Sequence, residues 1–599
     1  MAEFDPADGF QRACMAALAV VGVPTLSGAF RAVLGVSLGA GLAMSAAAVG
    51  AAVALWARRA PRRAAADGRT WLGVGLAGVG TIATLAVLWN GRFDGLVTVG
   101  GGDAGAHAAW ALSFARSNPG EYFGFVGTYA LWHWMGAAFG FDAFERERAG
   151  FYLTAAAVMV AVGHGVRVAV ARGVPLRAAV AWSALGLAAA SRFGFWPVLH
   201  YHQADGFYGH LFALVPLLAA WLAYGQLEDA RARAAALVAA VGVMRFTYGL
   251  NLGDLALTSA ALVAWEALRL ERMDPRAGAP AEEPRIGATF DRAGEPVEEP
   301  RIGAVPGRVG ARAPEHIGSS ATRLRPALLL LAAALTVGAV VAYAQLLPLA
   351  DVEGGFIPTR LGWLLPGLAI LTAGLFAAAR LLPPRARRLA AFAGAFGAVN
   401  LAAHLAYLGA GLQPRYYLYK YSLHAVILLL GAWVAVGAAI SGWRALAAGV
   451  VGLVMVARGS PYERSFEDRL RRSPPWTLVG PLTDRDADAR ITATLSEKRA
   501  DFGGLLTASW PMASFMNGER GRYLDVPAFQ RAELDDSPGH CVFWFEQESP
   551  LVEAFDAGGS RDARAAAIDR LHSDPAARCE SYAPRWDPSG AQVLCHRCR

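Results

Sequence analysis

Lysine is almost missing from this 599-residue chain: Lys420 and Lys498 are the two lysines among 55 basic residues, and charged residues make up only 17% of the total. The net charge of +7 is carried unevenly by arginine. Membrane topology explains that pattern better than a nucleic-acid surface does, so no nucleic-acid partner is expected. Cysteine is scarce too, with five residues, and four of them (Cys541, Cys579, Cys595 and Cys598) fall in the last sixty. There is no P-loop and no GxGxxG followed by a cytoplasmic helix, which leaves a nucleotide-dependent reaction without its usual signature. The opening MAEFDPADGFQR is acidic where a cleavable signal peptide starts positive, so it reads as no targeting peptide.

Hydrophobic residues, by contrast, form 55% of the chain and recur in long uncharged runs through its first three quarters. A run of about 20 apolar residues matches the bilayer core, which makes this a multi-pass protein of the cell inner (plasma) membrane. Candidate spans fall near 10–27, 33–56, 70–89, 149–168, 178–194, 207–225, 233–249, 252–269, 326–346, 361–380, 388–408, 420–440 and 443–457, thirteen in all. Arginine clusters at 58–69, 167–177, 231–233 and 380–388 mark alternate loops as cytoplasmic. By that parity the N-terminus is cytoplasmic, and the stretches GGDAGAH (101–107), HYHQADGFYGH (200–210) and QPRYYLYKYS (413–422) face outward, as does everything after 458.

YFGFVGTYALWHWMGAAFGFD (122–142) is apolar enough to span, but its aromatics, His133 and its glycines point to an interfacial or re-entrant segment. Residues 271–325, rich in Pro, Gly, Arg and Glu, carry EEPRIGA twice (282–288 and 298–304) and read as a disordered cytoplasmic linker. The expected fold is therefore mainly α: a polytopic transmembrane helical bundle over 1–457 and a soluble extracytoplasmic α/β domain over 458–599. Four cysteines in that outer domain predict two disulfides with three possible pairings, the alternative being half a zinc site at the terminal CHRC.

Ionisable groups near the outer edge are the candidate chemistry, because polar groups at membrane depth are costly. Asp103 sits among glycines at 100, 101, 102 and 105, and is either a carboxylate left open to a ligand or the N-cap of the following segment, which includes His107. HYHQADGFYGH brings His200, His202, Asp205 and His210 within eleven residues, and His, His and Asp at such spacing could ligate a divalent metal or contact a sugar. Arg245 lies inside a span, where it either binds substrate or snorkels outward. Arg415 precedes a helix entrance on which Tyr417, Lys420, Tyr421 and His424 share one face. That face reads as an aromatic belt or, given the rare lysine, as a seat for a phosphate headgroup.

In these features the chain resembles the GT-C superfamily of membrane glycosyltransferases, which use polyprenyl-phosphate-linked sugars. The likeness lies in the many spans, an outward loop opening on an acid (GGDAGAH), basic and aromatic later loops, and an outer C-terminal domain. It implies that Asp103 is the general base of an inverting transfer to an acceptor hydroxyl on a glycan, lipid or protein. Arg415 and Lys420 would hold the lipid phosphate. The acidic loop here follows the third span where the family's follows the first, and the paired acidic motif of some members is missing. An O-antigen-type polymerase or ligase and a lipid-linked-substrate flippase are the alternatives.

Overall fold

The computed structural model describes residues 22–59, 68–88, 126–139, 143–170, 174–205, 208–272, 315–346, 361–410, 416–440, 490–495, 540–545 and 593–598. Of these, all but the last three stretches are essentially helical. The elements are α1 (Gly22–Leu34), α2 (Leu38–Arg59), α3 (Gly68–Leu88), α4 (Val126–Phe139), α5 (Ala143–Ala169), α6 (Leu176–Ala190), α7 (Trp196–Asp205), α8 (Tyr208–Phe212), α9 (Leu214–Gln226) and α10 (Ala230–Thr247). They continue with α11 (Leu252–Arg272), α12 (Glu315–Leu346), α13 (Leu361–Ala379), α14 (Pro384–Gly409) and α15 (Tyr416–Ala439). A π turn at Ser191–Phe195 joins α6 to α7, and a 3-10 turn at Gly249–Asn251 leads into α11.

Six helices among the described residues are long and apolar enough to cross a bilayer, or seven if the bent α1–α2 pair is one span. The membrane reading stands at that coarser level, and the count of thirteen does not. The reason is local. Between α1 and α2 the chain bends by 119° at Gly35, whose φ of 67° suits glycine, so the spans expected at 10–27 and 33–56 are not two straight helices. α6 does not end near 194 as expected but runs on through the π turn, which carries Arg192, into the polar α7. α10 carries Arg231, Arg233 and Arg245, and α11 carries Asp254, Glu266 and Arg269. Residues 10–21 and 443–457 lie outside the described residues. α4, at 14 residues, is too short to cross, in line with a non-spanning 122–142 segment. It is not lodged among headgroups, however: Tyr129 and Trp132 are enclosed by the bundle. The linker also ends early, because α12 begins at Glu315 and runs through Pro326.

α9 and α15 form the centre. Their spanning windows are each 83% buried, whereas those of α3 and α12 are 28% and 22% buried, leaving Trp71, Ile82, Leu330 and Val340 on an apolar outer surface. α15 is apolar on all sides after His424, as a fully enclosed helix requires, and packs against α5, α6, α13 and α14. At the rim, α3 and α5 cross through Gly73 and Gly163: a Cβ on Gly163 would lie 2.5 Å from the Gly73 carbonyl oxygen. Gly163→Val is therefore expected to force the two helices apart and destabilise the fold by about 1–3 kcal/mol, read as a lowered melting temperature of the full chain in detergent. An unchanged midpoint would contradict this close packing.

In the C-terminal quarter the described residues are three strands, β1 (Arg490–Leu495), β2 (His540–Phe545) and β3 (Val593–Cys598). β2 is central, parallel to β1 and antiparallel to β3. The expected α/β domain is thus corrected to a three-stranded sheet as far as described, with no helix among the described residues of 458–599. β-branched and aromatic runs such as CVFWF favour strands. The register sets Cys541 opposite Cys598 and Cys595 opposite Trp544, while Cys579 lies outside the described residues.

Candidate functional site

Helix direction gives the bundle two chemically distinct ends. α9 follows His210 and ends at Gln226 beside Glu228, while α14 starts among Arg385, Arg387 and Arg388 and finishes just after His404. One end is rich in histidine and the other in arginine.

At the histidine end three helical segments converge. The π turn carries the chain from α6 directly into α7, extra residue included, and so sets the face on which His202 points inward. His202, His210 and His424 are buried with one ring nitrogen of each inside a 4.8 Å group. His202 and His210 stack at 4.8 Å between centroids, and His210 and His424 at 3.9 Å, both within 9° of parallel. Tyr248 lies edge-on to His210 at 5.0 Å, and Tyr201 edge-on to Tyr419 at 5.7 Å. Lys420, 4% exposed, lies within electrostatic reach of His202 and His210.

Hydrogen bonds assign the tautomers. His202 Nδ1 lies 2.7 Å from the Val198 carbonyl oxygen, which only accepts, so that nitrogen donates. In the neutral ring Nε2 is then an acceptor, and His210 Nδ1, 2.6 Å away, donates to it. His424 Nε2 donates to the His210 carbonyl at 2.7 Å. His424 Nδ1 is then a buried lone-pair nitrogen without a hydrogen-bond partner, and the His210 ring also meets the Lys420 backbone.

A second polar group shares α15 with this cluster and joins it to α11, α12 and α14. Asp254 accepts from Tyr343 Oη and, at 2.9 Å, from Asn400 Nδ2, tying α11, α12 and α14 together. His404 and Ser422 meet at 2.5 Å across α14 and α15, and Asn251 Nδ2 reaches the Tyr421 carbonyl at 3.5 Å. Asn251 Oδ1, Asn400 Oδ1 and His404 Nδ1 are further buried atoms without a partner.

Of the residues singled out in the sequence, the structure brings together His202, Lys420 and His424. Arg245 shares this end, half-buried in the last turn of α10 with its guanidinium beside Gly249, without joining the stacked rings. Asp103, His107 and Arg415 lie outside the described residues. His200, Asp205 and Tyr417 are described as backbone only, in α7 and α15. The expected metal set of His200, His202 and Asp205 is replaced by His202, His210 and His424. The aromatic belt is corrected as well: Tyr419 and Tyr421 are enclosed by protein. Asp254, Asn400 and His404 were passed over, although each is a polar residue inside an apolar run, which is itself the signal.

Stacking bears on what the trio can hold. A metal ion binds imidazole near the ring plane at about 2.0–2.1 Å, and two parallel rings 3.9 Å apart aim their lone pairs side by side, not at one point. Coordination by all three therefore needs a ring rotation. Lone-pair nitrogens can accept from hydroxyls and an ammonium attracts a phosphate oxygen, and a ligand that reaches them has to enter a group of rings now enclosed by protein. Comparison with protein-family models and with curated protein sequences finds no match for this chain, so its function has to be argued from this site.

Proposed function

We propose that this chain is a membrane glycosyltransferase that moves a sugar from a polyprenyl-phosphate donor to an acceptor hydroxyl at the histidine end of the bundle. One observation supports it above others: Lys420 and His424 from α15 meet His202 from α7 and His210 from α8 at one end of an apolar bundle, with His424 Nδ1 left as an acceptor without a partner. That is a cation suited to a phosphate beside an acceptor suited to sugar hydroxyls.

The chemistry asks little more. The acceptor oxygen attacks the anomeric carbon, the bond from that carbon to the phosphate oxygen breaks, and its electron pair leaves with the lipid phosphate. A base takes the hydroxyl proton, and inversion follows from the single displacement. Asp103 is the proposed base and Lys420 the stabiliser of the departing phosphate, with Arg415 as its proposed partner. An outward-facing histidine end completes the reading, as the arginine-rich end fits the cytoplasmic side.

Asp103→Asn is expected to abolish transfer in a polyprenyl-phosphate-sugar assay while expression and melting temperature hold. Retention of most activity would reduce Asp103 to a helix cap. A second reading, favoured by the proximity of the three histidines, is a divalent metal bound after ring rotation. It requires that chelation remove activity and that added zinc restore it, whereas the phosphate reading expects activity to survive chelation.

A further inference from the structure

The arginine end holds a cavity of about 700 Å³ lined by Arg69, Arg167, Glu228, Arg385 and Arg388. Four guanidinium groups against one carboxylate come from separate elements: the first turn of α3, the last turn of α5, the loop before α10, and the first turns of α14. Two features set this apart from arginines scattered along a membrane surface.

The first is their placement on helices. Neither α3 nor α14 has an acidic residue in its first turn. Both instead place arginine there, at Arg69, Arg385, Arg387 and Arg388, against the positive end of the helix dipole, where a cation is disfavoured and an anion stabilised. The second is that the cavity is braced by backbone contacts. Arg69 donates to the Val170 carbonyl at 3.3 Å, and Arg388 Nε and Nη2 donate to the Gly225 carbonyl at 3.2 and 3.1 Å. Arg385 meets Glu228 at 2.8 Å, an exposed pair that partly offsets the charge.

We infer that this cavity binds a phosphate or pyrophosphate group. The ligand is either the headgroup of an anionic lipid or a soluble anion of the same chemistry. Arginine forks match phosphate oxygens in pairs, and basic pockets between membrane helices are suited to lipid phosphates. The site is distinct from the histidine cluster: α9 runs from one to the other, about 20 Å at the helical rise, so it stands whether or not sugar transfer occurs there.

The test uses the full chain in nanodiscs of neutral phosphatidylcholine. One arm titrates inorganic pyrophosphate by calorimetry; the other adds phosphatidic acid and counts retained lipids by native mass spectrometry. Arg385→Gln is expected to weaken binding by about fivefold or more, and Glu228→Gln to tighten it by about threefold, since the two remove opposite charges from one wall. Both side chains are largely exposed, at 56% and 76%, so neither change should cost the fold. Binding in the lipid arm alone identifies a headgroup site, and binding in the pyrophosphate arm a soluble-anion site. No binding in either arm, or a failure of either variant to move affinity in its stated direction, would overturn the inference.

Discussion

Lys420→Met should lower sugar transfer by about 100-fold or more while the chain still folds and inserts. Methionine keeps the length and apolar stem of the side chain and removes the ammonium, so the packing between α7, α8 and α15 loses little volume. What disappears is the charge facing His202 and His210 and, in the proposed reaction, the group that stabilises the leaving phosphate. Removing one preorganised stabiliser of developing charge costs on the order of 10²–10³ in rate. The loss should appear in turnover more than in donor affinity, because negative charge on the bridging oxygen grows as the bond breaks. Near-normal turnover would leave the buried lysine as a packing element and would remove the phosphate seat from the account.

The largest expected effect on stability lies at the other end. Arg233 and Glu266 form a buried ion pair at 2.6 Å, with side chains 5% and 7% exposed. Tyr224 donates to the second carboxylate oxygen at 3.1 Å, and Arg233 Nη1 donates to the Leu227 and Glu228 carbonyls at 2.8 Å each. Glu266→Ala strands the guanidinium without its counter-charge and is expected to cost about 3–5 kcal/mol, enough to lower the melting temperature sharply. Replacing both partners, Arg233→Met with Glu266→Leu, should recover most of that loss, since a well-packed apolar pair avoids the desolvation penalty altogether. A double variant as unstable as the single one would show that Arg233 holds the α9–α10 turn mainly through its carbonyl contacts.

How far the sequence foretold this architecture differs between residues. Lys420 and His424 were visible because a rare lysine and a histidine share a helical face at an apolar run's entrance, and that run is indeed α15. His202 stood out in a short polar stretch for the same reason. His210 belonged to that stretch, yet nothing local says that His210 and His424, 214 positions apart, stack face to face. Pairings of that kind depend on which helices become neighbours, and periodicity within one helix is silent on them. The wrong span count has a related cause. Hydropathy records that a run is apolar but not that α6 continues through a π turn into α7. Asp254 was overlooked because two apolar turns masked one carboxylate, although a buried acid in such a run is costly enough to call for Tyr343 and Asn400 as partners.

The central claim is that a polyprenyl phosphate seats its headgroup among Lys420, His210 and His424. Photo-crosslinking tests it most directly: a polyprenyl monophosphate with a diazirine on its first isoprene unit, the full chain in detergent, and peptide mapping by mass spectrometry. Labelling within 196–212 and 416–425, abolished by excess unlabelled polyprenyl phosphate and strongly reduced in Lys420→Met, is the expected result. Competable labelling confined to the arginine end, or labelling of the histidine end that persists unchanged in Lys420→Met, would contradict it.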